Sequence, residues 1–236
     1  MISTALKAIG HWQCVFRFGI DRNPPASDMP SVNFRLLLVT DRTQSGGRPL
    51  PVLIRQAVDA GLSAVQLRER DLSTGELLPL AREVQAITAA HAVPLLVNDR
   101  VDLMMALNLH GVHLRSDSLP SLSVRQLIGS RGLIGVSTHS VEDVRRANQN
   151  GADYVVFGPV FETASKRSFG PPLGLDLLAE SCRQSAIPVF AIGGITCERV
   201  RGVRRAGAHG VAVIGALLTR DDIDDAVREF NDALET

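Results

Sequence analysis

The sequence predicts a single α/β domain, a (β/α)8 barrel of the TIM type, and three observations carry that prediction. Short β-branched or leucine-rich runs alternate with helical stretches eight times from Phe34 onward, the signature of parallel βα units. The length of 236 residues suits a barrel, which typically needs about 250. Hydrophobic residues reach 45% while aromatics stay at 4%. The apolar weight therefore falls on Ala, Val, Leu and Ile, which fill parallel strands and the helices covering them.

Taken in order, the strands are predicted at residues 35–40, 64–68, 95–98, 111–114, 133–137, 154–158, 189–193 and 210–214. Helices are predicted at 50–60, 74–90, 101–107, 140–150, 176–183, 197–206 and 222–234. Eight strands in strict alternation favour a closed ring over an open sheet. Residues 1–33 do not fit the pattern. Arg22-Asn23-Pro24-Pro25 has loop composition, and the stretch before it is too mixed for an ordinary signal peptide. The expectation is a poorly ordered N-terminal extension followed by one catalytic barrel domain over 34–236.

Composition narrows the function classes. With 25 basic and 25 acidic residues and no basic block, nucleic-acid binding has no electrostatic support. No apolar run reaches the roughly 18 residues of a membrane span. Cys14, Cys182 and Cys197 are odd in number and widely spaced, so they read as reduced thiols of a cytoplasmic protein rather than a disulfide frame or metal site. Self-association as a homo-oligomer stays open. Only Lys7 and Lys166 are lysines in a chain that otherwise writes arginine.

The strand ends carry the functional signal. Glu69-Arg70, Asn98-Asp99, Ser137-Thr138-His139, Gly158-Pro159 and Gly193-Gly194 each follow the last apolar residue of a strand, where this fold builds its active sites. Gly61, Gly151 and Gly207 precede strands and read as helix C-caps on the opposite rim. Gly193-Gly194 after strand 7 and Gly215 after strand 8 form the candidate phosphate site, because glycine lets backbone N–H groups approach an anion. Alternation turns Gln66 and Arg68 into the barrel, with Leu67 and Glu69 outward. An inward arginine needs a partner or an anion. Asp99 offers either a carboxylate for Mg²⁺ or an N-cap for the following helix. The loop Thr163-Ala164-Ser165-Lys166-Arg167 places a cation among hydroxyls on the same rim. His139 stands at a strand's carboxyl end, whereas His113 lies within a strand, where packing or hydrogen bonding inside the barrel explains it.

Read together, Val65-Gln66-Leu67-Arg68-Glu69-Arg70, Val97-Asn98-Asp99-Arg100, Gly135-Val136-Ser137-Thr138-His139-Ser140, Thr163-Ala164-Ser165-Lys166 and Ala191-Ile192-Gly193-Gly194-Ile195 resemble the thiamine phosphate synthase/TenI superfamily. The resemblance runs from about Phe34 to Leu234. It implies a transferase that couples hydroxymethylpyrimidine diphosphate with thiazole phosphate, giving thiamine phosphate and diphosphate, with Mg²⁺ as cofactor. Gln66, Arg68, Arg70, Asn98 and Lys166 would then hold the diphosphate, with Thr163 and Ser165 beside them and Asp99 on the metal. Ser137 would stand at the reacting groups, and Gly194 and Gly215 at the thiazole phosphate. His139 matches the histidine of the TenI-type tautomerases, which isomerise the thiazole phosphate carboxylate; that is the alternative activity. A non-catalytic ligand-binding regulator is the third. In Val112-His113-Leu114-Arg115-Ser116-Asp117-Ser118 the chain departs from the synthase pattern, which would have glycine at Arg115 and an acidic metal ligand at Ser118. Asp117 would reach such a metal only through water. The surviving residues of strands 2 and 3 favour the synthase.

Overall fold

The computed structural model describes residues 31–163 and 171–235. Eight parallel strands close in chain order: β1 (Leu36–Val39), β2 (Ala64–Leu67), β3 (Leu95–Asn98), β4 (Gly111–Leu114), β5 (Leu133–Thr138), β6 (Tyr154–Phe157), β7 (Val189–Ile192) and β8 (Gly210–Val213). The ring is completed where β8 pairs with β1, Leu37 against Ala212. The outer layer is α1 (Leu50–Asp59), α2 (Thr74–Ala89), α3 (Val101–Leu107), α4 (Ser121–Ile128), α5 (Val141–Gln149), α6 (Gly174–Gln184), α7 (Cys197–Arg205), the single turn α8 (Gly215–Leu218) and α9 (Ile223–Glu235). The closed barrel expected from the alternation of segments is the one observed.

Period-two alternation divides each strand between two cores. Leu36, Leu38, Val65, Leu67, Leu95 and Val97 pack outward against the helices, while Leu37, Ala64, Leu96, Tyr154 and Phe190 fill the interior. At the amino-terminal end Phe34, Tyr154 and Phe190 stack with ring centroids 5.2 to 5.7 Å apart. Each ring removed from water contributes about 1.5–3 kcal/mol, so the floor is sealed by apolar contact. Among the described residues this aromatic cluster closes the amino-terminal end of the barrel interior.

Local signals set the helix ends. Ser73 and Glu76 form a reciprocal capping box at the start of α2, and the Ser140 hydroxyl accepts from Asp143 N at the start of α5. Gly61, Gly151 and Gly207 adopt φ of +98°, +78° and +96°, the left-handed conformation of a helix C-cap, on the amino-terminal rim as expected. Two α-helices were not anticipated, the single turn α8 and the longer α4. The buried positions of α4 are Ser121, Val124 and Ile128, while Leu122 and Leu127 are exposed, so its apolar residues do not trace one face. Tertiary contacts hold it instead. Arg125 donates to the carbonyls of Gly129, Gly132 and Gly151 and to Asp153 Oδ2 at 2.5 Å.

Candidate active site

Above the aromatic floor the barrel interior turns polar. Inward positions of β2 to β5 include Gln66, Asn98, His113 and Ser137; Asn98 is paired with His113, and Ser137 lies one inward position beyond Gly135, the partner of His113. Gln66 Nε2 donates to Asn98 Oδ1 at 3.1 Å. His113 spans two hydroxyls, with Nδ1 3.1 Å from Tyr154 Oη and Nε2 2.9 Å from Ser137 Oγ. Gly135 makes room for this chain: a Cβ there would lie 2.1 Å from Tyr154 Cζ and 2.5 Å from His113 Nδ1. Burial pushes the His113 imidazole down to about 4 and pushes the Tyr154 phenol up, so both are neutral near pH 7. One ring nitrogen of His113 therefore donates and the other accepts.

The polar layer floors a cavity of about 260 Å³ at the carboxyl-terminal mouth. Gln66, Arg68, Arg70, Asn98, Ser137, His139, Thr163, Gly194 and Gly215 all line it. Segments separated by roughly 150 positions thus meet in one place, as the strand-end reading requires. Ser165 and Lys166 lie outside the described residues.

Arg68 and Arg70 have no carboxylate within ion-pair reach among the described residues. Glu69, on the outward side as alternation predicts, accepts instead from Thr40 Oγ1 at 2.6 Å and from Arg42 N at 3.0 Å. Burial, then the like charge of Arg70, lowers the affinity of the Arg68 guanidinium for its proton; Asp41 and Glu69 oppose this and Arg115 adds to it. Arg68 still stays charged, as arginine does in proteins. A third guanidinium, Arg115, lines the same cavity, and no carboxylate of the described residues does.

Asp99 corrects two expectations. It does not cap α3, whose N-cap is Arg100 with no side-chain bond. It sits at φ +59° and tethers the loop after β4: Oδ1 accepts from Arg115 N at 3.0 Å and from the Ser118 hydroxyl. Its Oδ2 accepts from Asn98 Nδ2 at 3.1 Å and lies 2.6 Å from Arg115 Nε. That last contact is an ion pair rather than an aligned hydrogen bond, since the Nε–H finds no acceptor in line. A carboxylate has about four lone-pair directions; three accept hydrogen bonds here, and Arg115 Nε crowds the remaining side. Asp117, expected near a metal, lies 3.3 Å from Arg115 Nε. Among the described residues no group of three or more His, Cys, Asp or Glu side chains can hold a metal ion. The donors present do not fit the Mg²⁺ site expected at Asp99.

Opposite the arginines are the glycine turns. Gly193 and Gly194 have φ of +97° and +63°, and a Cβ on Gly194 would lie 2.5 Å from the Glu162 carbonyl oxygen. The turn is pinned by Arg199, which donates to the Gly194 carbonyl at 2.6 Å and lies 4.6 Å over the Phe161 ring. Gly215 opens α8. A helix start leaves N–H groups without intrahelical partners, which suits an anion. His139 Nδ1 lies 2.6 Å from the Gly158 carbonyl oxygen. A carbonyl only accepts, so Nδ1 carries a proton and Nε2 is left outside that contact. Cys182 and Cys197 are pushed up to about 11 by burial and stay thiols.

Three polar lining residues, Gln44, His113 and Arg115, were not selected from the sequence. His113 is read from the sequence as packing or hydrogen bonding inside the barrel, and it does hydrogen-bond there while also lining the cavity. Arg115 stood out only as a departure from the family pattern.

Among the described residues, no helix is long and apolar enough to cross a membrane. Residues 36–217 match the family described as thiamine monophosphate synthase. The thiamine-phosphate synthase of Clostridium novyi is 40% identical over 195 residues, covering 83% of this chain and 96% of that protein. That of Roseiflexus castenholzii is 41% identical over 203 residues, covering 86% and 89%. The structure of thiamine phosphate pyrophosphorylase from Pyrococcus furiosus superposes with a TM-score of 0.78 at 30% identity, covering 86% of this chain and 96% of that one. With the fold, the cavity and the spacing of its residues in agreement, the chain belongs to the thiamine monophosphate synthase family.

Proposed function

We propose that this chain is a thiamine-phosphate synthase. It joins hydroxymethylpyrimidine diphosphate to thiazole phosphate, in the cytoplasm, with phosphorylated small molecules rather than nucleic acid or membrane as its partners. The observation that carries this reading is a cavity bearing three guanidiniums and no carboxylate on one side, and two glycine turns on the other. One side suits a diphosphate and the other a phosphate monoester.

In the reaction the bond between the pyrimidine methylene carbon and the diphosphate oxygen breaks, its electron pair leaving with the diphosphate. The thiazole nitrogen then supplies the pair for the new carbon–nitrogen bond. Negative charge gathers on the leaving group, so fixed cations at that place lower the barrier more than they stabilise the bound substrate. Arg68 and Arg70 serve there, with Gln66 and Asn98 orienting the phosphoryl oxygens and Lys166 acting from the neighbouring loop with Thr163 and Ser165. Gly194 and Gly215 receive the thiazole phosphate, which points the ring nitrogen at the methylene. Ser137, held by His113, faces the reacting groups.

The test is a paired assay on purified protein, with thiamine phosphate and the isomerised thiazole carboxylate phosphate each read by mass spectrometry. The synthase reading expects thiamine phosphate from the two phosphorylated halves. Isomerisation without coupling would replace it with the tautomerase, for which His139 Nε2 is placed to act as the base. His139→Ala separates the two: a tautomerase loses about a thousandfold or more with its proton-transfer group, a synthase far less.

A further inference from the structure

We propose that Arg115 takes the place a divalent cation would need beside Asp99, so that this chain holds a diphosphate group through Arg68, Arg70 and Arg115 without a metal ion. The inference rests on the reading of the cavity as a diphosphate site and concerns how that site neutralises its ligand.

Three observations carry it. First, neither oxygen of Asp99 is free of a donor or a cation. Its carboxylate is engaged by Arg115 N, Arg115 Nε, the Ser118 hydroxyl and Asn98 Nδ2. An Mg²⁺ ion sits about 2.0–2.1 Å from its oxygen ligands, so it would have to displace one of these donors and settle against a guanidinium. Second, Asp99 is not among the residues lining the cavity, whereas Arg115 is. An anion in the cavity meets the guanidinium, not the carboxylate. Third, the shortest contacts of the Arg115 side chain with Asp99 and Asp117 are made by Nε. Its Nη1 and Nη2 donate no hydrogen bond to any described residue, and the side chain is 39% exposed. Asp99 thus orients the guanidinium from behind, while its terminal fork is left for a ligand. A guanidinium matches phosphoryl oxygens in a bidentate way and supplies fixed positive charge with no need to capture a metal.

The second residue of the arrangement is Ser118. Its hydroxyl donates to Asp99 Oδ1, so an aspartate there would set a second carboxylate beside the first. Removing the guanidinium at the same time would leave two carboxylates and open space, the donor set a divalent cation takes.

Calorimetry of the full-length protein with inorganic pyrophosphate tests this, in buffer with chelator and in buffer with Mg²⁺. The wild type is expected to bind in both, with affinities within about threefold of each other, a difference of less than about 1 kcal/mol. Arg115→Met should weaken binding about tenfold to a hundredfold in both buffers, as loss of charge-assisted hydrogen bonds does. The double variant Arg115→Gly/Ser118→Asp should bind weakly in chelator and recover with Mg²⁺. Wild-type binding that needs Mg²⁺, or an Arg115→Met protein that binds as tightly as wild type, overturns the inference. The wild-type comparison alone decides the matter if a variant does not fold. Absence of binding in either buffer removes the diphosphate reading itself, whereas binding only with metal removes this inference and leaves that reading standing.

Discussion

Acidifying the protein from about pH 8 to about pH 4 should strip roughly 3 kcal/mol of stability through His113 alone. The imidazole is enclosed between Tyr154 Oη and Ser137 Oγ, and burial lowers its pKa from 6.5 to about 4. The unfolded chain therefore takes up this proton near pH 6.5, while the folded chain resists until about pH 4. In that window the unfolded state binds more protons, so stability falls as pH falls. Above the window the contribution is fully present, and below it the loss is complete. A gap of about 2.5 pH units, at about 1.4 kcal/mol each, amounts to about 3.5 kcal/mol in full, of which about 3 kcal/mol is lost by pH 4, where the folded-state group is half protonated. Urea unfolding across the pH range reads the effect against His113→Gln, which keeps polar groups between the two hydroxyls but does not titrate. The variant is less stable at pH 8, and the two curves should converge by roughly 3 kcal/mol at pH 4. Parallel curves, separated by a constant amount, would show that His113 is not held neutral by burial.

Two further predictions follow from glycines that touch the site. Gly135→Ala puts a Cβ 2.1 Å from Tyr154 Cζ, and overpacking of that severity costs about 3 kcal/mol or more; an unchanged urea midpoint would refute the claim that this strand needs an open position. Gly194→Ala combines φ +63° with a Cβ 2.5 Å from the Glu162 carbonyl, so the turn must move. Thiazole phosphate should then bind about tenfold more weakly by calorimetry, about 1.4 kcal/mol, while pyrophosphate binding holds.

What could be read from the sequence, and what could not, divides by the range of the interaction. Period-two alternation decided which residues of 66–69 face inward, and Gln66 and Arg68 line the cavity while Glu69 turns away. The rule of the carboxyl-terminal mouth placed Ser137, His139, Gly194 and Gly215 together. Both rules need only the neighbours along one strand, or the topology of the ring. The role of Asp99 needs something else. Its partners are one residue away (Asn98) and sixteen to nineteen residues away (Arg115 and Ser118). They meet because Asn98 pairs with His113, which sets the loops after β3 and β4 side by side. A carboxylate at a strand end reads equally as metal ligand, cap or anchor until that register is known. The same register converts Arg115 from a departure in a motif into the third cation of the cavity, while the guanidiniums of Arg68 and Arg70 needed only their own strand. The chemistry expected of Asp99 is then carried by the residue Asp99 holds. That exchange is intelligible because a fixed guanidinium and a captured cation meet the same requirement, positive charge where the leaving group gathers its negative charge.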